Sequence, residues 1–235
     1  MNGLKEKIIQ NLIAENRWKL FLNGLGITLE VTFFAVLIGI VLGFIIAIIR
    51  SSSKYTFKSA TANLIMRVLD FICRVYLTVI RGTPVLVQLM IMYFVIFASS
   101  SNKVLAAVLS FGLNSAAYVA EIIRSGIMSI DGGQLEAGRS LGFNYASTMV
   151  YVIIPQAFKN VLPALANEFI VLLKETSVSA MIGLSDLTYG ANLIRSRTYE
   201  AFFPLIFLAL IYLVMVMLFS WLVSKLERRL RNSDR

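Results

Sequence analysis

The stretches 31–49, 82–102 and 202–223 of this sequence each run for nineteen or more residues without a charge. At ~1.5 Å of rise per residue, nineteen helical residues reach roughly 28 Å, the thickness of a bilayer's hydrocarbon core. No water satisfies peptide groups there, so a segment of this length must close its own hydrogen bonds as a helix. Of 235 residues, 58% are hydrophobic and only 15% charged, too apolar for an ordinary soluble domain. The expected fold is all-α, one integral membrane domain.

The pattern predicts five spans. Residues 1–22 form an amphipathic N-terminal segment, with Leu4, Ile8, Leu12 and Ile13 at helical spacing and charges between them. It lacks the apolar core and cleavage site of a signal peptide and reads as an interfacial helix. The membrane domain covers 23–225, with spans over about 24–49, 62–98, 103–126, 160–176 and 201–224. The second is one long element bent near 82–84, where Pro84 interrupts it. Its first half places Arg67, Asp70 and Arg74 on one face and Leu64, Val68, Leu69 and Ile72 on the other. In the first span, Gly39 and Gly43 either mark a close-packing face or only relieve bulk.

A net charge of +9 raises the question of nucleic acid, but its placement beside apolar spans points to membrane topology instead. Arg50, Lys54, Lys58, Arg67, Arg74 and Arg81 gather over 50–81, and Lys225, Arg228, Arg229 and Arg231 lie in or beside a basic tail at 226–235. With five spans, both clusters and the loop at 129–158 share one face. The positive-inside rule makes that face cytoplasmic, with the C-terminus inside and the N-terminus outside. Cys73 is the only cysteine and excludes an intrachain disulfide. The absence of histidine removes the commonest general base and metal ligand. No catalytic residue, metal set or cofactor site is expected on this chain.

Charges inside spans are costly, by about 2.5–3.5 kcal/mol on insertion scales, and mark function or pairing. Glu121 and Glu168 fall within the third and fourth spans at similar depth, so they could line one cavity, with Arg81 and Thr83 at the break in the second element reaching the same level. The alternatives are structural: Glu121 pairs with Arg124 one turn on, and Glu168 bonds to Asn160, Asn167 or Lys174. As a catalytic pair the two acids would make an intramembrane enzyme, and as a lining they would make a passive channel.

Between the third and fourth spans lies a polar, Gly-punctuated insert over 131–163. Glu136, Ala137, Arg139 and Ser140 suit a short surface helix, with Glu136 and Arg139 spaced to pair. Gly142 is its stop signal and Pro155 a second break. Glu136-Ala137-Gly138, Gly142, Val152, Ile154 and Pro155 resemble, at matching spacing, the coupling-loop motif of ATP-binding-cassette (ABC) importer permeases, Glu-Ala-Ala, three residues, Gly, nine residues, Ile, one residue, Leu-Pro. Gly138 for Ala, Val152 for Ile and Ile154 for Leu are the departures. Gly138 lowers helix propensity by about 1 kcal/mol relative to alanine, which puts docking strength in question.

Further motifs are similar to the polar amino acid branch of those permeases over roughly residues 22–225. They are Arg81-Gly82-Thr83-Pro84 with Gln88, Ala117-Tyr118-Val119-Ala120-Glu121 with Arg124, Gly133-Gln134-Leu135-Glu136-Ala137, Pro155-Gln156-Ala157, Asn167-Glu168-Phe169-Ile170 and Leu173-Lys174-Glu175-Thr176-Ser177. The resemblance implies a five-helix type I importer bundle with a cytoplasmic coupling helix, in the plasma membrane. It implies that Glu136, Ala137, Gly138, Arg139, Leu141 and Gly142 meet a separate cytoplasmic ATPase, which binds ATP and Mg. A second permease chain, identical or not, and an extracytoplasmic amino-acid-binding protein complete the expected assembly. Arg81, Thr83, Tyr118, Glu121 and Glu168 are the expected substrate-pathway residues for a polar, and on the two acids a cationic, amino acid.

Overall fold

The computed structural model describes residues 2–52 and 60–232. Met1, Lys54, Lys58 and residues 233–235 of the tail lie outside the described residues, as do the side chains of Leu4 and Arg231. The order of elements is α1 (Asn2–Ile8), α2 (Trp18–Ser52), α3 (Ala60–Gly82), α4 (Val85–Ile91), α5 (Lys103–Met128), α6 (Gly132–Ser140), α7 (Tyr145–Thr148), α8 (Ile154–Glu175), α9 (Leu187–Thr198) and α10 (Phe202–Asn232). No strand occurs among the described residues.

Trp18–Ser52, Lys103–Met128, Tyr145–Ile182 and Phe202–Leu230 are each long and apolar enough to cross a membrane; the broken pair Ala60–Gly82 and Val85–Ile96, counted as one span, makes five. The break falls at Thr83-Pro84, where Pro84 is extended (φ −63°, ψ 136°). Proline cannot donate the next helical hydrogen bond, and the residue before it is driven out of the helical region. The large apolar side chains on the outer faces of α2 and α10, among them Phe33, Phe44, Val214 and Trp221, are exposed on the chain. On a membrane helix they are solvated by lipid.

Two spans begin earlier than the hydrophobic pattern predicts. The first helix starts at Trp18, directly after a short turn at Ala14–Asn16, rather than near 24. The fourth starts at Tyr145 rather than near 160 and runs through Pro155 without a break. A wider turn at Met149–Ile153 explains this: the Ile154 N–H reaches back five residues to the Met149 carbonyl. That local widening accommodates the proline ring, as π-turns do. The second half of the 129–158 loop is therefore helix.

The chain divides into two compact units. One comprises residues 2–36, Pro84–Gly112 and Phe169–Leu222. Its core packs Phe21, Leu173, Leu187, Ala191, Ile194 and Met215. There α9 lies against α2 at backbone distance: a Cβ on Gly24 would stand 2.6 Å from the Asp186 carbonyl oxygen, and one on Gly190 would stand 2.9 Å from that of Leu20. Asp186 caps α9 by accepting the Tyr189 N–H at 2.8 Å.

The other unit comprises Leu37–Thr83, Leu113–Glu168 and residues 223–232. Here α2 and α5 close on the two glycines of the first span. A Cβ on Gly39 would sit 2.7 Å from Ser115 Oγ, and one on Gly43 would sit 2.6 Å from a Val119 methyl. These glycines are a packing face, the first of the two sequence readings. Lipid offers no hydrophobic drive for one helix to leave it for another, so close approach is what holds such a pair. Leu77, Ala117 and Ala120 bind α3 to α5, and the Tyr76 hydroxyl donates to the Leu113 carbonyl.

Candidate functional site: the coupling helix and the charged network beside it

The second unit holds every residue that the sequence nominated. At its centre is α6, nine residues specified at both ends. Asp131 opens it, its carboxylate accepting the Gly133 N–H at 2.7 Å. At the other end Gly142 takes φ +87°, its N–H donating to the Arg139 carbonyl at 3.0 Å, while the Phe143 N–H donates to that of Gly138 at 3.1 Å. This pair of bonds is the Schellman closure that left-handed glycine permits. The predicted stop at Gly142 is thus in place. Asn144 caps the next helix at once, accepting the Ser147 N–H at 2.8 Å.

Of the six coupling residues, Glu136, Ala137, Arg139, Leu141 and Gly142 are exposed, and Leu141 stands out at 79%. Gly138 is different. It faces inward, where an added Cβ would lie 2.4 Å from the Thr148 Cγ2 and 2.8 Å from its Oγ1. The departure from alanine has a local cause, because buried Thr148 occupies the space an alanine methyl would need. The expected Glu136–Arg139 pair does not form. Both side chains point out from an exposed helix, where such a pair would contribute only a few tenths of a kcal/mol.

A cavity of about 450 Å³ borders this helix, lined on one side by Asp131, Gly132, Leu135, Tyr145 and Met149. Its opposite side carries Arg50, Glu121 and Arg124. Arg124 donates to both Glu121 oxygens from Nε at 3.0 Å and again through its terminal nitrogen. Arg81 adds a second cation, 3.9 Å from Glu121 Oε2, while its guanidinium stands 5.8 Å from the centroid of the Tyr118 ring. A neighbouring cavity of about 550 Å³ is lined by Arg50, Arg74, Arg81, Thr78 and Tyr118. Asp70, buried, accepts from Arg74 at 2.8 Å and lies 3.7 Å from Arg50. Four guanidinium groups and two carboxylates thus form two sets of pairs, Arg124–Glu121–Arg81 and Arg74–Asp70–Arg50.

The two nominated acids have different surroundings. Glu121 lies in the network, and Glu168 is buried at 9% exposure, where it accepts the Ser115 hydroxyl at 3.0 Å and lines neither cavity. Ser115 takes the place of the partners Asn160, Asn167 and Lys174 that sequence proximity offers. Asn160 instead donates to the Ser129 hydroxyl at 2.9 Å. Thr83, exposed at the break, donates to the Val79 carbonyl at 2.8 Å. Among the described residues no group of three metal-ligating side chains occurs.

Residues 56–232 match the model of a family described as the binding-protein-dependent transport system inner membrane component. That range contains α3 through α10, with the coupling helix at its centre. The chain belongs to that family. It is 39% identical to the arginine transport system permease protein ArtQ of Bacillus subtilis, over 91% of this chain and 93% of that one. It is 37% identical to a putative glutamine transport system permease protein, GlnP of Rickettsia typhi, over 89% and 92%. A crystal structure of an amino acid ABC transporter with histidines has a chain 47% identical to it, with a TM-score of 0.81 over 90% of this chain and 94% of that one. A multi-pass transport permease with the type I importer fold is therefore the class of this molecule.

Arg50, Asp70, Ser115, Asp131 and Thr148 are site residues that the motifs did not nominate. Asp131 had a signal, since an aspartate directly before a short helix is a preferred N-cap. Ser115 and Thr148 had none, because their partners lie across the fold.

Proposed function

We propose that this chain is the membrane permease subunit of an ATP-driven, binding-protein-dependent amino acid importer, and that α6 couples it to a separate ATPase. The observation that carries this reading is α6 itself. It is a short helix, capped at both ends, with Leu141 exposed and its inner side on a cavity walled by the span residues Glu121 and Arg124. A lever needs that combination: a rigid end that a partner can push and a direct contact with the helices that must move. The ATP and Mg would be bound by the partner. The remaining partners would be a second permease chain, an extracytoplasmic binding protein and the lipid bilayer. The basic clusters favour a cytoplasmic C-terminus and an extracytoplasmic N-terminus in the plasma membrane.

The substrate reading is a polar amino acid. Relatives named for arginine and for glutamine are almost equally similar to this chain, so kinship alone does not choose the side-chain charge. The geometry speaks against direct pairing of a cationic side chain with the two acids. Glu121 is already held between Arg124 and Arg81, and Glu168 is buried on Ser115. Because the acids are engaged separately, the enzyme alternative loses its paired carboxylates.

The deciding experiment is gentle extraction of the tagged chain from its native membrane and analysis of what accompanies it. A soluble ATPase in one-to-one ratio is the expected result, and any second permease would reveal a mixed dimer. Recovery without an ATPase, under conditions that preserve known complexes, would overturn the coupling reading. Gly142→Asp gives a functional counterpart. A non-glycine residue at φ +87° is strained by about 1–2 kcal/mol, and the new charge sits beside the docking face. Uptake should be lost while the membrane domain stays folded.

A further inference from the structure

The two faces of α3 differ in kind. Phe71, Ile72, Val75 and Val79 are exposed on one. Arg74, Thr78 and Arg81, at helical spacing on the other, line the cavity of about 550 Å³ together with Arg50 of α2 and Tyr118 of α5. Among the described residues, none that lines it is acidic. The carboxylates beside it are shared. Asp70 accepts from Arg74 at 2.8 Å and stands 3.7 Å from Arg50, while Glu121 accepts from Arg124 and stands 3.9 Å from Arg81. Four guanidinium groups to two carboxylates leave an excess of two positive charges among these six. At its distance Arg81 is beyond hydrogen-bonding reach of Glu121, so its N–H donors are not taken up by that carboxylate.

Depth and donor chemistry narrow the ligand. Arg50 ends the uncharged run 31–49 and lies in the last turn of α2, where a span of that length meets the headgroup layer. Charges within spans are costly and are held by partners. A guanidinium presents a planar fork of donors that matches phosphate oxygens two at a time. A carboxylate has two oxygens to offer, whereas a phosphate has more and can meet three forks at once. We propose that this cavity binds a phosphate-bearing anion through Arg50, Arg74 and Arg81. Its two sources are the headgroup of an anionic phospholipid and free inorganic phosphate. Basic pockets between spans at headgroup depth hold anionic lipids, and the exposed apolar face of α3 sets this helix against the bilayer. The site stands independently of the transport reading.

The occupant draws on two helices at once, through Arg50 of α2 and through Arg74 and Arg81 of α3. It braces them beside the place where Leu77 packs on Ala117 and Ala120 of α5, and it supplies the negative charge that Asp70 and Glu121 do not. Removing Arg74 leaves Asp70 with Arg50, and removing Arg81 leaves Glu121 with Arg124. Each single variant therefore weakens the anion site while both carboxylates keep a cation.

The test uses the full chain in detergent micelles, with any subunit that co-purifies. Its unfolding midpoint is followed against added short-chain phosphatidylglycerol, short-chain phosphatidylcholine and sodium phosphate, at constant ionic strength. Phosphatidylglycerol should raise the midpoint saturably, and phosphatidylcholine should not. Arg74→Gln and Arg81→Gln should each move half-saturation about tenfold or more to higher concentration, the loss of a charge-assisted contact. Arg228→Gln, which removes a charge from the exposed end of α10, should not move it. Should Arg81→Gln fail to fold, Arg74→Gln and Arg228→Gln decide the question. Phosphate that reproduces the rise and competes with the lipid identifies the free anion as the source, and phosphate without effect identifies the headgroup. Equal responses to the two lipids, or none to phosphatidylglycerol and phosphate alike, would overturn the proposal. So would a response that the two cavity variants leave unchanged, or one that Arg228→Gln weakens as much as they do. A response to arginine or glutamine in place of phosphate would overturn it as well, by giving the cavity to an amino acid carboxylate.

Discussion

Replacing Gly138 by alanine sets two energies against each other. Helix propensity favours alanine by about 1 kcal/mol. Packing opposes it, since the new methyl would fall 2.4 Å from the Thr148 Cγ2 in a place where Thr148 is fully buried. Overpacking of this kind costs about 1–3 kcal/mol. The clash should win, so Gly138→Ala is expected to lower the stability of the coupling region by up to about 2 kcal/mol. Thr148→Ala removes both offending atoms and should restore it in the double variant, where the propensity gain then shows. Thermal unfolding of the four members of that cycle measures the coupling, and a stabilising single Gly138→Ala would refute the packing account. The same residue shows what a sequence can hold. Glycine's weakness in a helix is local and legible at 138, but its reason sits ten residues away across a turn. The Glu121–Arg124 pair was legible because three residues make one helical turn. The Ser115–Glu168 bond joins residues fifty-three apart and was not.

Helix pairs in this molecule are decided by glycines, and the glycines differ in what they touch. A Cβ added at Gly24 would stand 2.6–2.7 Å from backbone atoms of Asp186 and Leu187, one at Gly43 would stand 2.6 Å from the Val119 side chain, and one at Gly26 would meet nothing within 4 Å. A side chain can turn or be trimmed, but a backbone cannot. Alanine at 24 should therefore force α2 and α9 apart and give the largest loss of folded protein. Alanine at 43 should be milder, and Val119→Ala should relieve it only in part, because the Cβ of residue 119 and the Ala116 carbonyl would still stand 2.7 and 2.9 Å from the new methyl. Alanine at 26 should be neutral or slightly stabilising, by about 0.5–1 kcal/mol from helix propensity. Folded yield in detergent and unfolding midpoints rank the three, and equal losses at 24 and 26 would contradict the packing distances. At this scale the sequence named the Gly39–Gly43 face and the Gly142 stop, because spacing and position identify them. It misplaced the start of the fourth helix because Pro155 reads as a break, and only the wider turn at Met149–Ile153 shows how the chain passes it.

For the whole molecule, hydrophobic length was enough to recover the number of spans, with the broken pair counted as one, since lipid imposes helices wherever twenty apolar residues stand together. What lines the pathway was less legible, because an acid in a span looks the same whether it faces a substrate or a serine. The two acids have different partners, and transport can test that difference. Glu168 is buried and occupied by Ser115, so Glu168→Gln, which keeps the hydrogen-bond acceptor, should leave substrate-stimulated ATP turnover of the assembled complex within a few-fold of wild type. Glu121 is the counterion of Arg124 and Arg81 on the cavity beside the coupling helix. Removing its charge leaves two guanidinium groups without it, at a cost of about 1–3 kcal/mol. Glu121→Gln should therefore depress stimulated turnover about tenfold or more, for cationic and neutral amino acids alike, while the complex still assembles. Turnover assayed with arginine and glutamine side by side separates the outcomes. A loss confined to arginine, and produced by Glu168→Gln, would show that the buried acid reads substrate charge directly. A loss common to both substrates and produced by Glu121→Gln places that residue in the transmission between coupling helix and spans.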